Sequence, residues 1–248
     1  QIIPLWDMKR YLLFYQNYTG LPFHWSFDHV WSLCVEEHFY ILLPLMFLFI
    51  QRFVAEKQRK IMVYSLVVAT IFAGVGFKAL SWYFTDGKDT YSATHNRLDG
   101  LAWGVLLNLI IYDHGHRIKS YPYLKGIFLI GLMFFLVVIY ISSVFNSELY
   151  NRVFLPSLVP IAYFLMLMAV YFMDFSRWLP VRFIAYYSYN WYLWHPVFVY
   201  FIYDNFGYTP LGLLIYLVLS FPISVIMTIS VEEFFLNRRE KILKKWFS

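Results

Sequence analysis

The sequence predicts an all-α integral membrane protein, a polytopic helix bundle with about seven transmembrane helices present. Three observations support this fold class. Of the 248 residues, 60% are hydrophobic and only 14% are charged, whereas soluble domains carry about 25% charged residues. Apolar runs recur along the whole chain, and seven of them approach the roughly 20 residues that a helix needs to cross a bilayer core of about 30 Å.

The apolar runs lie at about residues 35–51, 61–84, 98–112, 123–145, 153–173, 183–203 and 211–235. The third run is short, and we expect it to be tilted, paired or partly re-entrant. The chain then divides into an extracytoplasmic segment, 1–34, a transmembrane domain, 35–236, and a basic cytoplasmic tail, 237–248.

The charges give an orientation. Loops on the side of residue 1 hold five Lys and Arg residues and the opposite loops hold fourteen, with Lys78 left inside a span. Cytoplasmic loops carry the excess of Lys and Arg, so we expect the C-terminus in the cytoplasm. The tail NRREKILKKWF is typical of a segment that lies on anionic lipid headgroups. Because the net charge of +5 is spread over short loops, no nucleic-acid partner is expected.

The first span opens with WSLCVEEHFYILLPL (31–45), which carries three ionisable groups. A charge deep in a span costs about 2.5–3.5 kcal/mol on insertion scales, so it usually faces a cavity or a partner. On a helix Ser32, Glu36 and Tyr40 share one face, while Glu37 points about 100° away. The two glutamates are therefore expected to differ in role. The alternative is that the ionisable groups, His38 included, sit in water at the interface.

A metal site is the other alternative for this stretch. Cys34 to His38 resembles the zinc-binding pattern H-x-x-E-H, with cysteine at the first position, and His24 and His29 are conceivable further ligands. The site needs two ligands on one helix and an outer shell that the pattern does not provide. We expect no metal, and the single cysteine, Cys34, excludes a disulfide framework within the chain.

Two later stretches also carry polar groups. HNRLDGLAWG (95–104) opens the third run with Arg97 and Asp99, and residues at i and i+2 do not face each other on a helix. Each is expected to have another partner, although an ion pair between them remains an alternative. SYNWYLWHP (188–196) aligns Ser188, Tyr192 and His195 on one face, and Pro196 removes a backbone donor there. A histidine hydrogen-bonded in the core is the plainer interpretation.

Together these stretches resemble acyltransferase family 3, the membrane O-acyltransferases that include O-antigen acetylases. WSLCVEEHFYILLPL is similar to the family signature W-S-L-x-V-E-E-x-F-Y-x-L-x-P, RLDGLAWGVLL to R-x-D-x-L-x-x-G, and SYNWYLWHPVF to S-Y-x-x-Y-L-x-H-x-P. The motifs keep the family's order over about 35–200. Two positions depart from the pattern: His38 stands where glutamine is usual, and Cys34 where a small residue is usual.

The resemblance implies a bundle of about ten helices, so the chain is expected to be N-terminally incomplete. It implies transfer of an acyl group, usually acetyl from acetyl-CoA as donor and with no bound cofactor, in a bacterial inner membrane. The acceptor is a hydroxyl of a glycan, a lipid-linked saccharide or a small molecule. The family's catalytic histidine precedes this chain, so residues 1–248 alone are expected to be inactive. Glu36 is the catalytic candidate, supporting that histidine, and the substrate-binding candidates are Trp31, Ser32, Tyr40, Arg97, Asp99, Tyr192 and His195.

Two other functions remain open at this point. A bundle with charges inside its spans is also compatible with a transporter of a small solute, although no internal repeat is apparent. A membrane scaffold without catalysis predicts that changing Glu36 and Arg97 has no effect.

Overall fold

The structure, a computed structural model, describes residues 5–18, 29–85, 91–173, 177–207 and 209–247. Within these residues the regular structure is helical, without strands, which confirms the all-α prediction. The helices are α1 (Leu5–Leu12), α2 (Trp31–Phe53), α3 (Glu56–Thr85), α4 (Leu98–Lys119), α5 (Leu124–Phe145), α6 (Leu155–Val170), α7 (Leu179–Phe206), α8 (Pro210–Met227) and α9 (Glu233–Phe247). A 3₁₀ turn covers Thr94–Asn96, and π turns precede α6 and α9.

The predicted apolar runs coincide with helices α2 to α8. Within the described part of the chain, five helical segments are both long and apolar enough to cross a membrane: Trp31–Phe53, Glu56–Thr85, Leu124–Phe145, Tyr150–Val170 and Pro210–Lys244. Helices α4 and α7 have sufficient length, at 22 and 28 residues, but they are more polar. The first carries Asp99 and Asp113, and the second is rich in tyrosine. The polytopic membrane fold is confirmed, with five of the seven predicted spans meeting both criteria.

The chain divides into two compact units. The first unit comprises Gln1–Pro22 and Trp31–Met173, and it contains helices α1 to α6. The second comprises Phe23–Val30 and Asp174–Ser248, and it contains α7 to α9.

Glycines allow the helices of the first unit to approach closely. A Cβ atom at Gly131 on α5 would lie 2.9 Å from Cγ of Met166 and 3.1 Å from the Ala162 carbonyl oxygen on α6. A Cβ atom at Gly74 on α3 would lie 2.7 Å from the Cβ atom of Asp99 on α4. Small residues at such contacts are typical of helices that pack in lipid.

Polar side chains lie inside the first unit and large apolar ones lie outside. Lys78 and Asp99 are each 1% exposed, whereas Phe72 on the same helix as Lys78 is 71% exposed. A soluble domain has the opposite arrangement, because water drives apolar groups inward. The charged groups of Lys78 and Asp99 therefore lie in the interior of this unit.

In the second unit, polar bonds join α7 to α8 and to the π turn after it. Trp191 donates from Nε1 to Ser220 Oγ over 2.9 Å, and Asn190 donates from Nδ2 to Thr228 Oγ1 over 2.9 Å and to Glu232 Oε2 over 2.5 Å. Helix α7 continues through Pro196 to Phe206.

Candidate functional site

The candidate groups of the first unit gather where α2 and α4 begin. Helix α2 starts at Trp31 and α4 starts at Leu98, directly after the 3₁₀ turn Thr94–Asn96. Helix starts leave backbone N–H groups unpaired and carry a partial positive charge. This end of the unit therefore combines polar side chains with groups that attract negative charge.

Arg97 packs against two neighbouring aromatic rings at this end. Its guanidinium carbon lies 4.1 Å from the centre of the Tyr91 ring and 5.1 Å from that of Trp31, and the two rings meet edge to face at 5.1 Å. Arg97 Nε donates to the Tyr91 carbonyl oxygen over 2.6 Å. The described residues give this guanidinium no second hydrogen bond. Of the candidates, Trp31 and Arg97 are thus brought together.

Asp99 pairs with Lys78 and not with Arg97, so the ion pair considered between Arg97 and Asp99 is wrong. The Asp99 carboxylate bonds Nζ of Lys78. Nζ also donates to Ser157 Oγ over 2.9 Å, and that hydroxyl donates to the Val153 carbonyl oxygen over 2.8 Å. The physical reason is that Arg97 precedes α4 with non-helical backbone angles, φ −126° and ψ −8°. Its side chain turns to Tyr91, whereas Asp99 in the first turn of α4 faces Lys78 on α3. The cluster ties α3, α4 and α6 together.

Sequence reasoning missed Lys78, although a signal was present. Lys78 is a single cation in the middle of an apolar run of α3, and the cost of such a group requires a partner. The absence of a Cβ at Gly74, one turn earlier, leaves room for the Asp99 side chain against α3. The single cation Lys78, four residues after Gly74 in an apolar run, therefore indicated a buried ion pair.

A second polar group surrounds His38 on α2. His38 Nδ1 lies 2.8 Å from Thr94 Oγ1, which also accepts from Asn17 Nδ2 over 2.8 Å. The Tyr18 ring lies 6.2 Å from the His38 ring and 5.8 Å from the His95 ring. Burial lowers the pKa of His95 below its ordinary value. Neither Asn17 nor Thr94 belongs to a periodic pattern, so the sequence offered no signal for this contact.

Helix α2 is continuous from Trp31, so Ser32, Glu36 and Tyr40 share one face as the sequence indicated. Glu36 and Ser32 are half-buried, and Tyr40 is 58% exposed. No hydrogen bond or ion pair to Glu36 occurs among the described residues. The structure therefore leaves this carboxylate without a protein partner there and does not join it to Arg97.

Tyr192 and His195 lie in the second unit, where they meet His29. Tyr192 Oη donates to the His29 carbonyl oxygen over 2.9 Å, and the His29 and His195 rings are 5.6 Å apart. His195 Nδ1 lies 2.8 Å from the Tyr192 carbonyl oxygen. Because a carbonyl only accepts, Nδ1 carries the proton and Nε2 of a neutral His195 keeps its lone pair. Burial, and then the nearby His195, lower the pKa of His29.

Within the described residues no group of three or more His, Cys, Asp and Glu side chains could hold a metal ion. Cys34 is fully buried. His24, a conceivable further ligand in the metal alternative, lies outside the described residues.

Comparison with known proteins gives one family. Residues 3–229 match acyltransferase family 3, described as an acyltransferase domain. The relatives include O-acetyltransferase OatA from Staphylococcus aureus strains NCTC 8325 / PS 47, COL and MRSA252, each 29% identical over 183 residues. That alignment covers 69% of this chain and 29% of each relative, so the chain spans under a third of the length of the curated relatives it matches. No solved structure matches. With more than nine-tenths of its residues inside the matched range, and the three motifs in their order, this chain belongs to acyltransferase family 3.

Proposed function

We propose that the protein is a membrane-bound acyltransferase that moves an acetyl group from acetyl-CoA to a hydroxyl of a cell-surface glycan or a related acceptor. The observation that carries this proposal is the family match over residues 3–229. The printed name of the relatives, O-acetyltransferase, supports acetyl as the group and oxygen as the acceptor atom. A lipid-linked saccharide and a small hydroxyl compound are the other acceptors of the same chemistry.

The reaction fixes what the site must supply. The acceptor oxygen attacks the thioester carbonyl carbon, the C–S bond breaks, and the hydroxyl proton passes through the site to the sulfur of CoA. A group must take up that proton, and donors must stabilise the oxyanion that forms on the carbonyl.

Arg97 is suited to the negative charge of this reaction. Its bond to the Tyr91 carbonyl and its contacts with the Tyr91 and Trp31 rings hold the guanidinium in place. An arginine has five N–H donors, and among the described residues only Nε of Arg97 donates. We propose that the Nη groups serve a thioester oxyanion or an anionic group of a substrate. The Trp31 ring packs against the guanidinium of Arg97. Asp99 pairs with Lys78 and so ties the first turn of α4 to α3.

Glu36 is suited to handle the proton. It is half-buried and has no hydrogen bond or ion pair in the described part of the chain, so its oxygens remain available to a substrate hydroxyl or to a basic side chain. Ser32 and Tyr40 lie on the same face of α2 as Glu36. In the second unit, taken by itself, the Nε2 lone pair of a neutral His195 can accept a hydrogen bond.

The test is transfer of labelled acetyl from acetyl-CoA in membranes that contain the full-length protein. Glu36→Gln should lower turnover by about 100-fold or more, which is the usual contribution of a general acid or base. Glu37→Gln, one residue away and about 100° around the helix, should keep most of it. Arg97→Gln should lose turnover and Arg97→Lys should recover only part, because lysine lacks the planar fork. Equal turnover of Glu36→Gln and the unchanged protein would refute the role of Glu36.

A transporter of a small solute is the second candidate, because the buried Lys78–Asp99 pair lies within the helical core of the first unit and such pairs also occur on ion pathways. Uptake of solute into sealed vesicles, with no transfer of label from acetyl-CoA, would favour it.

For localisation we propose a bacterial cytoplasmic membrane with the C-terminus inside. The support is the excess of fourteen over five Lys and Arg residues in opposite loops and the rule that such residues stay in the cytoplasm.

A further inference from the structure

A chain of hydrogen bonds fixes the ring of His38 near the start of α2. Asn17 Nδ2 donates to the Ser92 carbonyl oxygen over 3.1 Å and to Thr94 Oγ1 over 2.8 Å. His38 Nδ1 lies 2.8 Å from the same Thr94 oxygen. Asn17 and Thr94 are 6% and 4% exposed, so water hardly reaches this side of the ring.

The orientation of the Asn17 amide is determined by its two contacts. Its Nδ2 atom has two protons, and one reaches the Ser92 carbonyl oxygen while the other reaches Thr94 Oγ1. The reversed amide would bring its own oxygen against the Ser92 carbonyl, and both of those atoms only accept. Asn17 is therefore a donor to Thr94.

The hydrogen bonds of the Thr94 hydroxyl determine which ring nitrogen of a neutral His38 carries the proton. The Thr94 hydroxyl has one proton and two lone pairs, and Asn17 occupies one lone pair. Since Asn17 Nδ2 cannot accept, the only acceptor for the hydroxyl proton among the described residues is His38 Nδ1. If Nδ1 carried a proton instead, the buried hydroxyl would donate to nothing, and an unsatisfied buried donor is unfavourable. The proton of a neutral His38 therefore resides on Nε2.

The Nε2–H group has no partner within the described residues. His38 is half-buried and follows Glu36 by two positions on α2. An uncharged N–H donor suits a neutral oxygen, such as a hydroxyl or carbonyl, and it does not compensate the charge of a nearby carboxylate as an imidazolium would. The Tyr18 ring, 6.2 Å away, borders the same space.

We propose that His38 is a substrate-binding residue whose Nε2–H donates to an oxygen of the acyl acceptor, with Thr94 and Asn17 locking the ring in that tautomer. This rests on the proposed acyl transfer. A bond made to a hydroxyl or carbonyl that does not itself react is formed equally in the bound substrate and in the transition state. Its loss therefore raises KM for the acceptor and leaves kcat nearly unchanged.

The first experiment measures acetyl transfer in membranes containing the protein as a function of acceptor concentration. His38→Leu keeps the bulk but removes the donor, and we expect KM to rise about tenfold, the effect of one hydrogen bond. His38→Gln should restore KM, because the glutamine oxygen can accept from Thr94 while its amide nitrogen donates. His116→Leu, at an exposed position on α4, is the matched control and should not change KM.

The second experiment does not depend on activity. Protein labelled with ¹⁵N-histidine in lipid bilayers at pH 8 should show, for His38, a protonated Nε2 and an unprotonated Nδ1, the signals being assigned by their loss in His38→Gln. Thr94→Val removes the hydroxyl donor and should increase the Nδ1-protonated form.

A protonated Nδ1 in the unchanged protein, or an unaltered KM in His38→Leu, would overturn the proposal. Absence of acetyl transfer by the unchanged full-length protein would overturn the proposed function and with it the acceptor contact. The nitrogen signals would still report whether Thr94 and Asn17 hold His38 in this tautomer.

Discussion

Replacing Lys78 by methionine should destabilise the protein strongly, because it leaves the Asp99 carboxylate buried without its cation. Both residues are 1% exposed, so neither charge is compensated by water. Two unit charges about 3 Å apart attract by roughly 5 kcal/mol at an effective dielectric constant of about 20. Removal of one member of a buried pair costs about 3–5 kcal/mol, and we expect Lys78→Met to lower the free energy of unfolding by that amount.

The chain contains a matched control for this prediction. Lys60 and Asp113 form an ion pair over 2.9 Å in which the Lys60 side chain is 64% exposed, and Asp113 keeps a bond of 2.6 Å from Tyr64 when Lys60 is lost. Lys60→Met should therefore cost less than about 1 kcal/mol. Lys78→Met combined with Asp99→Leu should recover most of the loss, because an apolar pair needs no compensation.

The assay is reversible unfolding of the protein in lipid–detergent micelles with a denaturing detergent, followed by the fluorescence of its nine tryptophans. The double variant measures the coupling between the two side chains. If Lys78→Met and Lys60→Met lowered the free energy of unfolding equally, the idea of a desolvated pair in the first unit would be refuted.

The remaining predictions concern packing, topology and pH. Gly131→Val should destabilise by about 1–3 kcal/mol through overpacking against α6, measured in the same assay; no change would mean that α5 and α6 are further apart. Cysteine at Lys57 in a Cys34→Ser background should react only with reagents on the cytoplasmic side, and labelling from outside would reverse the orientation. The lowered pKa of His95 means that the unfolded chain binds the proton first, so stability should fall as the pH drops below about 6.5, and less steeply in His95→Gln.

Much of the fold was predictable because lipid imposes a simple requirement on each span. The run predicted at 123–145 matches Leu124–Phe145 closely. The third run was predicted to end at residue 112, because polar residues follow it, but helix α4 continues to Lys119. The helix extends beyond the apolar run because a polar residue there, Asp113, is paired with Lys60.

The site was less predictable, because its contacts join distant parts of the chain. Arg97 and Asp99 have separate partners, as expected, although Arg97 precedes α4 and is not on a face of that helix. The spacing could not indicate that Trp31 would cover the guanidinium of Arg97. The partner of Asp99 was the isolated Lys78, which a search for unpaired charges inside apolar runs would have identified. The Asn17–Thr94 contact depends on turns that have no periodic signal.

The length of the helix from Pro210 to Lys244 can be compared with the thickness of a lipid bilayer. Its 35 residues extend about 52 Å at 1.5 Å per residue, and the 28 steps from Pro210 to Arg238 measure about 42 Å, close to the roughly 40–45 Å of a bilayer with its headgroups. Upright, the helix spans an ordinary membrane with its first arginines level with the phosphates. In a thinner membrane it must tilt to meet the mismatch, and α7, hydrogen-bonded along it, would have to tilt with it.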